Sequence, residues 1–128
     1  MDNQLSFCFV DDDTENLEQW KRWIEDKGHI FIGVDNALDA NKVRADVFVF
    51  DISVVCPIHS THGAYSAMSS IGCNHPGAII AIVSAIPDSA VRSVIDDVKV
   101  HVDNIVINGG WGSFSNLENA LKDVGVVL

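Results

Sequence analysis

Aspartate residues follow two short runs of apolar residues, at the points where those runs stop. Asp11, Asp12 and Asp13 follow residues 5–10, and Asp51 follows residues 47–50. Short apolar runs are typical of buried strands, so both groups of carboxylates are expected at strand ends. If the two strands are neighbours, like charges about 4 Å apart repel by roughly 4 kcal/mol at an effective dielectric of 20, and a bound cation is expected to offset this repulsion.

A divalent metal ion and an aspartyl nucleophile are the chemistry that these carboxylates indicate. Mg²⁺ binds through one or two carboxylates, keeps several waters and accepts phosphate oxygens. A carboxylate beside Mg²⁺ can attack a phosphoryl group and form an aspartyl phosphate. Asp51 is the candidate nucleophile. The alternative is a set of solvated aspartates in turns and helix caps, a role in which aspartate is common.

Composition limits the classes of protein to which the chain can belong. With 128 residues it fits one domain, spanning residues 1–128. Its net charge of −10 opposes binding to nucleic acid, and its Lys and Arg residues are scattered. It has no apolar run long enough to span a bilayer and no basic signal-peptide region, so a cytoplasmic protein without membrane contact is expected. Three cysteines cannot all pair within the chain, which favours free thiols.

Apolar runs and amphipathic segments alternate along the chain. Strands are predicted at residues 5–10, 30–34, 47–50, 78–83 and 104–107. Helices are predicted at residues 15–27, 36–45, 63–71, 87–98 and 114–124. Thr14 is the predicted N-cap of the first helix, and Gly28 is the residue at which that helix is predicted to end. This order is typical of a doubly wound α/β fold with a parallel sheet and ligands beyond the carboxyl ends of its strands.

With these motifs the chain resembles the receiver domains of two-component response regulators, over nearly its whole length. Receivers carry an acidic pair after the first strand, here Asp11 and Asp12, and a phosphoacceptor aspartate after the third, here Asp51. They also carry Ser or Thr and a small residue after the fourth strand, here Ser84-Ala85. The resemblance implies a flavodoxin-like (βα)5 fold with a five-stranded parallel sheet of order 2-1-3-4-5.

The resemblance also implies a site and its partners. Mg²⁺ would lie on Asp12, Asp51 and the backbone carbonyl of Ser53, with Asp11 bound partly through water, and Ser84 would hydrogen-bond the phosphoryl group. A histidine kinase or phosphotransfer protein would phosphorylate Asp51. The resulting phosphoprotein would signal to a downstream protein or an output domain, and a homodimer is a further candidate assembly. Any enzymatic activity would be limited to self-phosphorylation and self-dephosphorylation.

Two features depart from the family pattern. The lysine that follows the fifth strand of receivers is absent, and Asn108 stands near its position. A charge-assisted hydrogen bond is roughly twice as strong as a neutral one, so the phosphorylated form is expected to be less stabilised. The loop after Asp51 is also longer, because Pro57 and Gly63 come later than the corresponding proline and glycine of the family.

Three other functions are weighed for the sequence. A degenerate receiver that binds proteins without being phosphorylated is compatible with the missing lysine. A hydrolase of the haloacid-dehalogenase type would need a second aspartate at the place of Ser53, and flavin binding rests on analogy of fold alone.

Several histidine, cysteine and tryptophan residues are expected to be structural. The residue types of zinc ligands occur at Cys56, His59, His62, Cys73 and His75. Their spacing fits no zinc pattern closely, so ordinary loop residues are expected. His29 and His101 are expected at the surface or at a strand edge. Trp20 and Trp23 are expected to pack the first helix on the sheet, with Trp23 partly exposed.

Overall fold

Five parallel strands form one sheet in the computed structural model, which describes residues 4–11, 13–51, 70–75, 77–83, 105–108 and 114–128. The strands are β1 (Ser6–Val10), β2 (Ile30–Val34), β3 (Val47–Asp51), β4 (Ile79–Val83) and β5 (Ile105–Asn108). Their order is β2-β1-β3-β4-β5, and all four pairings are parallel. The predicted flavodoxin-like sheet is therefore confirmed, with strand ends that differ from the predicted ends by one residue or none.

Helices follow the strands where the structure describes the connections. They are α1 (Thr14–Asp26), α2 (Ala37–Ala40) and α3 (Phe114–Asp123), and residues 70–74 are also helical. The helix predicted at residues 63–71 is described only from residue 70 and continues to residue 74. The helix predicted at residues 87–98 lies outside the described residues. Within the part of the chain that is described, no helix is long and apolar enough to cross a membrane.

The start of α1 corrects the predicted cap. Asp13, not Thr14, is the N-cap residue, because its Oδ1 accepts hydrogen bonds from the N–H groups of Glu15 at 2.9 Å and Asn16 at 3.4 Å. Asp and Thr are both good N-cap residues, so residue type alone does not separate two adjacent candidates. The predicted stop is confirmed, because Gly28 has a φ of +85°, a left-handed conformation that glycine adopts without steric cost.

The second helix is shorter than the predicted range of residues 36–45. Asn36 caps α2, because its Oδ1 accepts a hydrogen bond from the N–H of Asp39 at 2.8 Å. After Ala40 the N–H groups of Lys42 and Val43 donate to carbonyls three residues earlier, at 3.1 Å each. These tighter turns replace α-helical bonding, so α2 ends after a single turn.

Alternate residues of the strands pack on opposite faces of the sheet. Phe7, Phe9, Val47 and Val49 belong to a core cluster with α1 and α3, to which the helices contribute the buried residues Trp20, Ile24, Leu117 and Leu121. Val124, predicted on the apolar face of the last helix, follows α3 and is 39% exposed.

Aromatic rings connect β1 to both of these helices. The ring of Phe9 stacks on Trp20 with centroids 4.9 Å apart, and Trp20 meets Phe114 edge to face at 5.1 Å. The ring of Trp23, half-buried as predicted, stacks on Phe114 at 5.1 Å. Aromatic pairs of this kind contribute about 0.5–1.5 kcal/mol beyond the area that they bury. They hold α1 against α3 on the first face of the sheet.

On the opposite face, the sheet contacts the turn that follows the helical residues 70–74. The ring of Phe48 lies against His75, with centroids 5.3 Å apart, and the Nε2 atom of His75 lies 3.3 Å from the backbone oxygen of Asn41. Cys8 is buried in β1, and burial raises the pKa of its thiol to about 12, so the thiol stays protonated at neutral pH. Cys73 is exposed and also free, and Cys56 lies outside the described residues.

Candidate functional site at the carboxyl edge of the sheet

The strand register places the candidate site residues along one edge of the sheet. Val10 pairs with Phe50, so Asp11 and Asp51 are the next positions on the adjacent strands β1 and β3. Neighbouring strands lie about 4.8 Å apart, which brings these two backbone positions close together. Asp51 in turn pairs with Val83, and Val83 pairs with Asn108. The ends of four strands, β1, β3, β4 and β5, thus lie in one row, with Asp51 next to the position of Asp11.

Asp11 is held in place by backbone hydrogen bonds on both sides. Its N–H donates to the carbonyl oxygen of Val34 at 3.0 Å, which extends the pairing of β1 with β2 beyond the strand end. Its Oδ1 accepts a hydrogen bond from the N–H of Asp13 at 2.9 Å. The residue is only 3% exposed. A carboxylate with so little freedom is positioned before any ligand arrives.

The first turn of α1 adds an electrostatic contribution at this edge. Asp13 caps the helix immediately beyond Asp11, and the amino-terminal end of a helix carries a partial positive charge. This end favours negative charge nearby by about 0.3–1 kcal/mol at an exposed site. The carboxylate of Asp11 therefore lies where the backbone itself offsets part of the repulsion between acidic residues.

The predicted site residues differ in how far the structure describes them. The backbone of Asp51 ends β3 and the backbone of Asn108 ends β5, as the register shows. Asp12, Ser53 and Ser84 lie outside the described residues, so their roles stay predictions. No Lys or Arg occurs between Lys99 and Lys122, so neither β5 nor the loop after it can supply a cation.

The residues at this edge fit a hard divalent cation by their chemistry. Carboxylate oxygens are the ligands that Mg²⁺ prefers, and it needs only one or two of them. Asp11 and Asp51 supply two such groups on adjacent strands. Mg²⁺ therefore agrees with the donors that the register collects.

Zinc is not indicated where the structure describes the candidate ligands. Among the described residues, no group of three His, Cys, Asp or Glu side chains is arranged to hold a metal ion. His75 contacts Phe48 and Asn41, as a packed side chain does. Cys56, His59 and His62 lie outside the described residues, as does His101.

His29 is a buried residue that the sequence did not reveal. Of its two predicted places, the surface is wrong, because the residue is only 8% exposed and its Nδ1 accepts a hydrogen bond from the N–H of Leu5 at 3.1 Å, whereas it does directly precede the edge strand β2. Burial is the larger cause that lowers the pKa of His29, and the positive charge of Lys27 lowers it further. The signal in the sequence was its place between the stop at Gly28 and the apolar residues of β2, where the chain turns back into the sheet.

Comparison with known proteins adds the name of the fold. No model of a protein family matches the chain. No curated protein matches it either. Among solved structures, the chemotaxis response regulator CheY4 of Vibrio cholerae is 13% identical over 95% of this chain and 99% of its own, with a TM-score of 0.70. The response regulator TrrA of Thermotoga maritima, in complex with Mg²⁺ and BeF, is 20% identical over 93% and 97%, with a TM-score of 0.68.

The chain has the receiver-domain fold. A putative pilus assembly protein of Burkholderia thailandensis shares this fold, with 17% identity over 94% of this chain and 97% of its own and a TM-score of 0.67. The receiver fold therefore also occurs in a protein whose description does not mention a response regulator. At such low identities the likeness shows architecture, and the chemistry of this chain has to be argued from its own residues.

Proposed function

We propose that the chain is a receiver domain of two-component signalling that accepts a phosphoryl group on Asp51 in a Mg²⁺-dependent reaction. The observation that carries this proposal is the row at the carboxyl edge of the sheet. Asp51 ends β3 beside β1, whose next residue is the buried Asp11. An aspartate with a second carboxylate on the neighbouring strand, at the edge where α/β folds bind ligands, suits phosphoryl transfer better than a structural role.

Each residue at this edge would have a separate role. Asp11, Asp12, Asp51 and the backbone carbonyl of Ser53 would hold Mg²⁺, which neutralises charge on the transferring oxygens. Asp11 is fixed by the N–H of Asp13 and would need little reorganisation. Ser84 would donate a hydrogen bond to the phosphoryl group. Asn108, at the end of β5, would offer only a neutral contact in place of the family's lysine.

The phosphoryl donor is proposed to be a phosphohistidine on a histidine kinase or a phosphotransfer protein. A carboxylate oxygen of Asp51 would attack phosphorus as the bond from phosphorus to the histidine nitrogen breaks. The electron pair of that bond would return to the imidazole ring, which takes up a proton. The phosphorylated chain would then signal to a downstream protein or an output domain.

Intact mass after incubation with acetyl phosphate tests the proposal. The wild-type chain should gain one phosphoryl group with Mg²⁺ and none with EDTA. Asp51→Asn should gain none, whereas Asp46→Asn, which alters an aspartate just before the other end of β3, should be labelled like the wild type. Equal labelling of Asp51→Asn and the wild type would overturn the assignment, and so would a folded wild type that neither acetyl phosphate nor a panel of phosphohistidine donors labels.

A second candidate function is protein binding that does not depend on phosphorylation. The observation that favours it is Asn108 at the end of β5, with no Lys or Arg from residue 100 to residue 121. Asn108→Lys restores the cation and keeps the chain length. If the wild type is not labelled and Asn108→Lys is, the remaining site is competent and the binding function is favoured for the natural sequence.

A further inference from the structure

β2 is an edge strand of the described sheet, and it has an unpaired side. It pairs with β1 along its whole length, and β1 pairs with β3 on its other side. The N–H of Ile30 donates to the carbonyl of Leu5 at 2.9 Å, and the carbonyl of Val34 accepts from Asp11 at 3.0 Å. Even-numbered residues of β2 therefore direct their backbone groups toward β1. Odd-numbered residues, Phe31 and Gly33, direct theirs outward.

The side chains of this strand are those of an interface rather than of a protected edge. Exposed edge strands are commonly protected by charges, proline or a bulge. The sequence of β2 is Ile-Phe-Ile-Gly-Val, which contains no charged residue and no proline. Ile30 is 47% exposed, Gly33 is exposed, and Ile32 and Val34 are half-buried. An apolar edge with free backbone groups favours the addition of another strand.

We infer that two copies of the chain pair through β2, antiparallel about a two-fold axis at Ile32. In this register Phe31 lies opposite the partner's Gly33, and the two outward-facing residues of each copy exchange both of their backbone hydrogen bonds with the other copy. Four hydrogen bonds form in total. Registers that place Phe31 opposite the partner's Phe31, or Gly33 opposite the partner's Gly33, pair only one of the two residues.

The side chains fit the same register. Ile32 faces the partner's Ile32 across the axis, and Ile30 faces the partner's Val34 on the same face of the sheet. On the other face, Phe31 lies opposite the partner's Gly33 at two symmetric positions. The Phe31 ring packs on Phe9 and on Gly33 of its own chain, and glycine has no side chain that would hinder the approach of the partner strand. The sequence of β2 is therefore complementary to itself, which is what a two-fold interface requires.

The surface beside the strand carries charges of both signs. A groove of about 430 Å³ lies between α1 and β2, and Glu18, Lys21 and Glu25 line it together with Leu17, Phe31 and Gly33. Two-fold rotation brings the α1 helix of each copy to the same face of the joined sheet, with a basic residue between two acidic ones on each side. Neither copy therefore presents a surface of a single sign to the other.

The size of this interface sets the expected affinity. A pair of five-residue strands with a few aliphatic contacts is smaller than the roughly 1,200–2,000 Å² of a stable interface. A dissociation constant in the range of about 10 μM to 1 mM is expected for so small a contact. The dimer should therefore be measured at about 0.15 M salt, where the repulsion between two chains of net charge −10 is screened within about 8 Å.

Sedimentation equilibrium of the unphosphorylated chain, from micromolar to millimolar concentration, is the first test. Gly33→Pro removes an outward N–H, whereas Gly33→Ala keeps it and adds a Cβ at the same place, about 3.0 Å from the Phe31 ring in both variants. Because two of the four hydrogen bonds are lost, Gly33→Pro should raise the dissociation constant about tenfold or more over Gly33→Ala. Thermal unfolding of both variants shows whether each is folded.

A second pair of variants tests the side chains. Ile30→Lys places a charge in the proposed interface and should weaken the dimer about tenfold or more, since lysine is a common edge-protecting residue. Val124→Lys makes the same change of charge at a comparably exposed aliphatic residue after α3, and it should leave the dissociation constant within about twofold. Equal effects of the two changes would overturn the proposal.

A cysteine pair tests the register itself. Residues that face each other without hydrogen bonds have Cα atoms about 4.5 Å apart, within the range of a disulfide. With Cys56 and Cys73 changed to Ser, Ile32→Cys should form a dimer through its new thiol under mild oxidation, whereas Ile30→Cys, which faces Val34 of the partner subunit, should not. A wild type that stays monomeric at millimolar concentration would overturn the proposal, and so would cross-linking through both positions equally. These assays use no phosphoryl donor, so their failure is distinct from failure of the proposed function.

Discussion

The two ends of the β1–β3 pair carry aspartates with opposite surroundings. At the amino edge, Asp46 is exposed, and its Oδ2 accepts hydrogen bonds from the N–H of Ser6 at 2.9 Å and from Ser6 Oγ at 3.3 Å. At the carboxyl edge, Asp11 is buried and contacts the start of α1. Asp46 connects the starts of two strands, whereas Asp11 lies in a row with Asp51 and Asn108.

This contrast teaches what distinguishes a structural aspartate from a functional one. An exposed carboxylate with donors from one neighbouring residue is already satisfied, and water screens its charge. A buried carboxylate next to a second aspartate position costs free energy unless a cation or a proton offsets the charge. The same residue type thus stabilises one edge of the sheet and is the proposed metal ligand at the other.

The largest expected effect separates the two aspartates by metal affinity. Asp11→Asn should weaken Mg²⁺ binding about tenfold or more, because a charged oxygen ligand becomes neutral. Asp46→Asn should change the affinity less than twofold. Isothermal titration calorimetry with Mg²⁺ measures both constants, and equal losses in the two variants would show that the metal site is elsewhere.

Asp46, which is not expected to bind metal, should instead contribute to the free energy of unfolding. Asp46→Ala removes the acceptor of the two hydrogen bonds that Ser6 donates and should lower the free energy of unfolding by about 1–2 kcal/mol. Asp26→Ala, at an exposed position in the last turn of α1, is the control and should leave stability unchanged or slightly higher, because a negative charge is unfavourable there. Urea denaturation monitored by tryptophan fluorescence gives both values. Equal losses would remove the special role of Asp46.

The cap of α1 should contribute a similar or smaller amount beside the carboxyl edge. Asp13→Ala should cost about 1 kcal/mol, the usual loss when an N-cap side chain is truncated. Thr14→Ala, one residue further on, should cost less than about 0.5 kcal/mol, because Thr14 lies inside the helix. If the order of the two losses in urea denaturation were reversed, the cap assignment would be wrong.

The smallest expected effect is the pH dependence that His29 contributes at the amino edge. Its pKa is below the ordinary 6.5, so the unfolded chain binds a proton more readily than the folded one. The contribution of His29 to the free energy of unfolding is fully present above pH 6.5. It is lost as the pH falls through 6.5 toward the lowered pKa. His29→Asn, which keeps an acceptor for Leu5 and does not titrate, should flatten the stability profile between pH 7 and 5. Parallel profiles would exclude this role.

The strands and their order could be predicted because buried parallel strands are continuous apolar runs. The predicted range of β2 agrees with the structure at both ends, and that of β1 at its carboxyl end. Asp11 and Asp51 could also be assigned to one edge, because parallel strands end together. The length of α2 could not be predicted, since weak turns compete with helix after Ala40.

Other features depend on contacts that are distant in sequence. The burial of His29 follows from its hydrogen bond to Leu5, a residue in the chain before β1. The hydrogen bond that Ser6 donates to Asp46 also joins residues that are distant in sequence. The place of His29 between Gly28 and the apolar residues of β2 is a signal of its burial, but no local pattern indicates either hydrogen bond. The sequence therefore indicated the carboxyl edge and not the contacts of the amino edge.

The aromatic contacts between α1 and α3 also give the molecule an optical signature. The indole rings of Trp20 and Trp23 have centroids 5.8 Å apart and planes inclined by 64°. Two intense far-ultraviolet indole transitions this close and not parallel couple into an exciton pair, so the far-ultraviolet circular dichroism should contain a couplet of opposite signs. Its amplitude depends on the mutual orientation of both rings, and it reports the packing of this face even when the helix content is unchanged.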